Sequence, residues 1–139
     1  MTLETIGYTE PDAQSRIEAF LAQDRARHIL MDIRYSPRSR WLPQYNRSAL
    51  YNRYGVQYAH CSVLGNLNYR PEDRAKGIEI ADPEQGIARV VNLLKNDCSL
   101  MLLCACKDYE QCHRKIVYEL IMQEIAAREE KRRIEREVA

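Results

Sequence analysis

No apolar run in the 139 residues approaches the roughly 20 residues that a membrane-spanning helix needs, so no membrane role is expected. Neither sign of charge dominates: 21 basic side chains face 20 acidic ones, for a formal net charge of +1. That balance argues against a strong general affinity for nucleic acid or lipid surfaces. It leaves room for a local basic pocket, because the arginines are unevenly placed. The opening MTLETIGYTEPD has neither the basic start nor the long apolar stretch of a signal peptide, and a cytoplasmic setting is the expectation. There is no internal repeat and no low-complexity tract. Cysteine is present but odd in number, at five. In a reducing compartment these residues are expected as thiols, ligands or small buried groups rather than disulfides.

What is there fits one domain over residues 1–139, with 45% apolar residues to fill a core. Leu3 to Tyr8 reads as a short strand. Residues 10–24 read as an amphipathic helix, with Thr9 as N-cap, Pro11 in the first turn, and Ile17, Phe20 and Leu21 at helical spacing. His28 to Arg34 is a nearly continuous apolar run of the kind buried on both faces of a parallel sheet. Tyr45 to Tyr54 reads as a helix stopped by Gly55, and Val56 to Cys61 as a third strand. Leu64 to Ala81 is polar and without a period, an excursion of the length that is often functional. Asp82-Pro83-Glu84-Gln85 carries a cap, a first-position proline and a capping-box glutamine, opening a helix with Ile87, Val90, Val91 and Leu94 on one face. Ser99 to Cys104 is the strongest buried-strand signal, and a long mixed-charge helix is expected over about 112–136.

Strand and helix thus alternate four times. The expected fold is α/β, a single-domain three-layer sandwich with a mainly parallel, Rossmann-like sheet and helices on both faces. Ligands of such sheets bind beyond the carboxyl ends of the strands. Four loops meet that description: Gly7-Tyr8-Thr9, Arg34 to Arg40, His60 to Leu67, and Cys104 to Arg114.

Two of these loops carry most of the chemistry. Asp32 and Arg34, two apart on a strand, point to one face. With Arg38 and Arg40 nearby, the guanidinium forks suit phosphate or carboxylate. The plainer account is that Asp32 pairs with an arginine and fixes the loop. The other loop is LLCACKDYEQCHRK, residues 102–115. Cys112, His113 and Arg114 lie where a helix begins, and its free N–H groups and dipole favour an anion and a depressed thiol pKa. Cys61 and Cys98 read as ordinary residues. Cys104 and Cys106 alternate and are expected on opposite faces. A C-x-C-x5-C-H spacing matches no regular zinc motif, and Cys112 and His113 on one regular helix would not converge. A thiol-phosphatase loop fits no better, because no cysteine stands at the right distance from Arg114. An anion site asks least of the geometry.

The segments TIGYT, LMDIRYSPRSR, YAHCSVLGN and LLCACKDYEQCHR, in that order, resemble the domain-of-unknown-function family 488. The resemblance spans almost the whole chain. Its signature positions fall here on Tyr8, Asp32, Arg34, Pro37, Ser39, Arg40, Leu64, Gly65, Cys104, Cys112, His113 and Arg114. Asn66 stands where a second glycine is usual, and Cys106 where glutamate is frequent. The resemblance implies a compact α/β fold of bacterial or archaeal origin and no established reaction.

The expectation drawn from all this is a pocket at the strand ends for a phosphate-bearing ligand, a nucleotide or a nucleic-acid end. Asp32 and His113 are the acid/base candidates and Cys112 the nucleophile candidate of a hydrolase or transferase. Tyr8, Arg34, Ser39, Arg40 and Arg114 are the binding candidates. No cofactor and no metal ion is assigned, and the tyrosines leave a homodimer contact open. The alternative is a non-catalytic regulatory or interaction module that senses metal or redox state through Cys104, Cys106 and Cys112.

Overall fold

The computed structural model describes residues 2–106 and 108–139. Four strands form one sheet: β1 (Leu3–Gly7), β2 (His28–Asp32), β3 (Tyr58–His60) and β4 (Ser99–Cys104). Their order is β1-β4-β2-β3, and every neighbouring pair is parallel. The helices are α1 (Ala13–Ala22), α2 (Arg47–Tyr54), α3 (Pro83–Lys95) and α4 (His113–Val138). The alternation read from the sequence is therefore the observed one, a mixed α/β sandwich of Rossmann-like type.

The layers follow from the direction of each crossover. β1 to β2 and β2 to β3 move one way across the sheet, and β3 to β4 moves back. Right-handed crossovers then place α1 and α2 on one face and α3 on the other. Strand residues show the two faces by their alternation. Leu30, Met101 and Leu103 pack with Ile17, Phe20 and Leu21 of α1 and Leu50 of α2. Met31, Leu100 and Leu102 pack with Val90, Val91 and Leu94 of α3 and Val117 and Ile121 of α4. β4 has both neighbours and is buried at all six positions, which is why SLMLLC carries no polar alternation beyond its first serine.

The loops after β1, β4 and β2 leave adjacent strands toward helices on opposite faces. Their carboxyl ends therefore splay apart into a crevice. Two glycines allow the crowding there. A Cβ on Gly7 would lie 2.1 Å from the Cys106 carbonyl, and one on Gly65 would lie 2.4 Å from the Tyr35 backbone. Residues 64–81, without a period in the sequence, are closed on themselves. Leu67 N–H donates to the Glu79 carbonyl at 2.8 Å, and Asn66 Oδ1 accepts from the N–H groups of Asn68 and Glu79 at 3.0 Å each. That gives Asn66 work that a glycine could not do.

Local details depart from expectation. α1 starts at Ala13 with Asp12 as N-cap and no side-chain cap. Thr9 Oγ1 instead donates to the Ala105 carbonyl at 3.2 Å, a tertiary bond that takes the expected cap away. The third strand is shorter than expected, because residues 55–57 form a 3-10 turn. The capping box at Asp82 is present, with Asp82 Oδ1 accepting from Gln85 N–H at 3.2 Å. Among the described residues no helix is long and apolar enough to cross a membrane.

Candidate functional site

The end of β2 holds a closed polar knot. Asp32 is fully buried. Its Oδ1 accepts from Arg34 N–H at 3.1 Å and from Arg34 Nε at 2.8 Å. Its Oδ2 accepts from Arg34 Nη2 at 2.7 Å and from the Tyr58 hydroxyl. A carboxylate offers about four acceptor sites, and these four donors fill them. Arg34 Nη2 also donates to the Tyr45 carbonyl at 2.6 Å, and the guanidinium lies 5.2 Å from the centre of the Tyr8 ring. Tyr8 in turn stacks on Tyr45 at 4.5 Å. Burial opposes the charge of Arg34, but the bonds and field of Asp32 outweigh it and the guanidinium pKa is raised. Burial, then the charge of Asp32, pushes the Tyr58 phenol far up, so its hydroxyl remains a donor. One donor of the knot, Arg34 Nη1, is buried with no protein partner.

The end of β4 is built differently. The chain bends at Ala105 immediately after the strand. Cys112 is the N-cap of α4 in an extended conformation, φ −98° and ψ 144°, so it is not on the helix that His113 begins. Both facts overturn the expected divergence. Cys104 and Cys106 Sγ lie 3.5 Å apart. His113 Nδ1 lies 3.4 Å from Cys104 Sγ and 3.9 Å from Cys112 Sγ. All four ligand atoms fall within 4.8 Å of one another. Arg114 N–H, one of the free donors of the helix start, points at Cys112 Sγ from 3.5 Å.

His113 also joins the two strand ends. Its Nε2 bonds the Ile33 carbonyl at 2.8 Å. A carbonyl only accepts, so Nε2 carries a hydrogen and Nδ1 is the nitrogen turned to the sulfurs. As thiols and imidazole the four groups share protons unequally. Hydrogen bonds from Cys104 and Cys112 pull the Cys106 thiol down. The hydrogen bond to Cys106 pushes Cys104 up to about 12, and bonds to Cys104 and Cys106 push Cys112 far up. Burial lowers the His113 pKa, but bonds to Cys106 and Cys112 outweigh it and push it up to about 9.

Between these two centres and the closed loop lies a cavity of about 910 Å³. Its wall carries Arg34, Arg38, Arg70 and Arg74, and among the described residues Asp108 is the one acid on it. Asn66, Asn68 and Gln111 add amides, and Cys104, Cys106 and His113 form part of the wall. Tyr35 and Tyr69 also line it, with ring centres 6.0 Å apart.

The sequence-derived candidates divide. Arg34 and His113 reach the cavity. Asp32 and Cys112, at 0% and 1% exposure, stand behind the wall. Tyr8 supports Arg34 from beneath. Ser39 closes its own loop, its Oγ accepting from Leu42 N–H at 3.0 Å. Arg40 is exposed and lies over the Trp41 ring, outside the cavity. Arg114 is buried, 5.3 Å from the Tyr109 ring centre and 3.9 Å from Glu10 Oε1, and is not on the wall. The expected Arg34, Arg40 and Arg114 cluster is therefore replaced by Arg34, Arg38, Arg70 and Arg74. Arg70 and Arg74 were missed. Their only signal was the length and polarity of the segment that carries them.

No curated protein and no solved structure matches the chain. A family model, the domain of unknown function DUF488, matches residues 14–121. That span contains β2, β3, β4, the closed loop and the start of α4, and with them both polar centres except for Tyr8. The chain belongs to the DUF488 family.

Proposed function

We propose that the cavity binds a phosphate-bearing ligand, a nucleotide or a nucleic-acid end. The observation that carries this reading is the concentration of four arginines against one acid on a single wall, in a chain of net charge +1. The volume suits a ligand of nucleotide size. Arg34 lines the wall, and its Nη1 is a buried donor with no protein partner. Arg38 and Arg74 are exposed forks that can close on phosphate, and the tyrosine pair at the rim offers faces for a base to stack on.

His113 enters as part of the wall, and Asp32 and Cys112 as groups that support it from behind. The lone pairs of Asp32 are filled, the Cys112 thiol is shut away from the cavity, and both ring nitrogens of His113 are engaged, Nε2 by the Ile33 carbonyl and Nδ1 by the sulfurs. The reading is therefore one of binding, and a hydrolase or transferase step gains no support from these three. Calorimetric titration with nucleoside phosphates and a 5′-phosphorylated oligonucleotide tests it. Saturable binding is expected, weakened about tenfold by Arg38→Ala and by Arg74→Ala, the worth of one charged hydrogen bond. Absence of binding, or binding indifferent to both changes, removes the proposal.

One observation favours a second reading, a regulatory module that senses metal or redox state. Cys104 and Cys106 both lie on the cavity wall with their sulfurs in contact distance. A change in their state would then alter the ligand site. Ligand affinity measured before and after chelation or peroxide treatment decides it, and an unchanged affinity excludes it.

A further inference from the structure

We propose that Cys104, Cys106, Cys112 and His113 coordinate one zinc ion through three sulfurs and the imidazole Nδ1. The site stands whether or not the cavity takes a phosphate.

The spacing of the ligand atoms is the first support. A tetrahedral ion with Zn–S near 2.3 Å and Zn–N near 2.0 Å sets neighbouring ligands about 3.5–3.8 Å apart. The observed separations of 3.4, 3.5 and 3.9 Å match that edge length. The widest separation in the group, within 4.8 Å, needs only a small side-chain adjustment.

The second support lies outside the ligand set. Metal-bound histidines are held by their other ring nitrogen, often on a carbonyl. His113 Nε2 is held in this way by Ile33, which fixes the ring and presents Nδ1 inward. Arg114 N–H serves Cys112 Sγ in the same manner, as a donor to a sulfur that would bear charge once bound to the ion.

The third support is cost. Cys104, Cys112 and His113 are all buried, and two chain segments must be ordered to bring four such groups together. A disulfide would use two sulfurs and leave the third sulfur and the imidazole Nδ1 out of it. None of the five cysteines is paired, and Cys61 and Cys98 lie outside the group. A divalent ion engages all four at once.

Three thiolates and one imidazole form a soft donor set, which selects zinc over the oxygen-seeking divalent ions. All four positions are filled by the chain, so the site is closed and its role is structural. It ties the end of β4 to the start of α4 and sets the surface that Cys104, Cys106 and His113 present to the cavity. Binding as thiolates releases the thiol protons to water.

The test uses the full chain, expressed with zinc supplementation and purified reduced, without chelator. Elemental analysis is expected to give about one zinc per chain. After chelation, cobalt(II) is expected to restore a tetrahedral spectrum with sulfur-to-cobalt charge transfer. Cys112→Ser and His113→Ala are expected to lose the ion, and Cys98→Ser to keep it. Should the first two variants fail to fold, thiol titration of the wild-type chain replaces them. Its three cluster thiols should resist a disulfide reagent when zinc is bound and react once chelator is added. Zinc-free protein after supplementation, a cobalt spectrum without charge transfer, or thiol reactivity indifferent to chelator overturns the site. Lost phosphate binding with zinc retained would count against the cavity reading alone.

Discussion

The two polar centres at the carboxyl edge of the sheet make a useful contrast. Around Asp32, almost every donor and acceptor is answered within the chain. Around His113, three sulfurs and a ring nitrogen converge within 4.8 Å of one another, held as thiols by weak hydrogen bonds alone. A self-satisfied cluster of charges reads as architecture, whereas a cluster of like ligands aimed at one point reads as a seat for something else. The contrast also reorders the roles. The aspartate, which looked like chemistry in the sequence, is closed within the fold, and the arginine paired with it also reaches the cavity wall. The cysteines, which looked divergent, form the convergent set.

The sharpest way to break this contrast is Asp32→Ala. It leaves the Arg34 guanidinium buried and unpaired, and a loss of about 3–5 kcal/mol is expected in urea unfolding. A small loss would mean that the knot is not the support described here. Removal of metal comes next. With free zinc at a hundred times its dissociation constant, thermal or urea unfolding should show about 2.7 kcal/mol that chelator removes and zinc returns. Tyr58→Phe tests the knot more finely. It deletes one donor to Asp32 Oδ2, and about 1–2 kcal/mol is expected by the same unfolding measurement. The smallest effect on stability belongs to Arg74→Ala. Its melting curve should overlay that of the wild type, while calorimetry shows the weakened ligand binding described above.

Much of the architecture was legible because periodicity reports burial. The run Ser99 to Cys104 is buried on both faces, and Asp82 with Gln85 makes the cap that their spacing announces. The candidate site was legible only in part. Arg34 and His113 could be named because one follows a strand and the other opens a helix. The convergence of Cys104, Cys106 and Cys112 could not, because it depends on a bend at Ala105 and an extended Cys112, and spacing carries neither. Arg70 and Arg74 were hidden for another reason. Their segment is folded by the Asn66 amide and by a bridge between Asn66 and Ile80, contacts that leave no period behind.

The contact between Gly65 and Tyr35 has a mechanical consequence. With no room for even one methyl group between their backbones, the segment bearing Arg70 and Arg74 is braced against the segment bearing Arg34 and Arg38. The opening has a set width at that point. A guest of the kind proposed would have to come in the right size, and its binding energy would not be diverted into drawing two walls together.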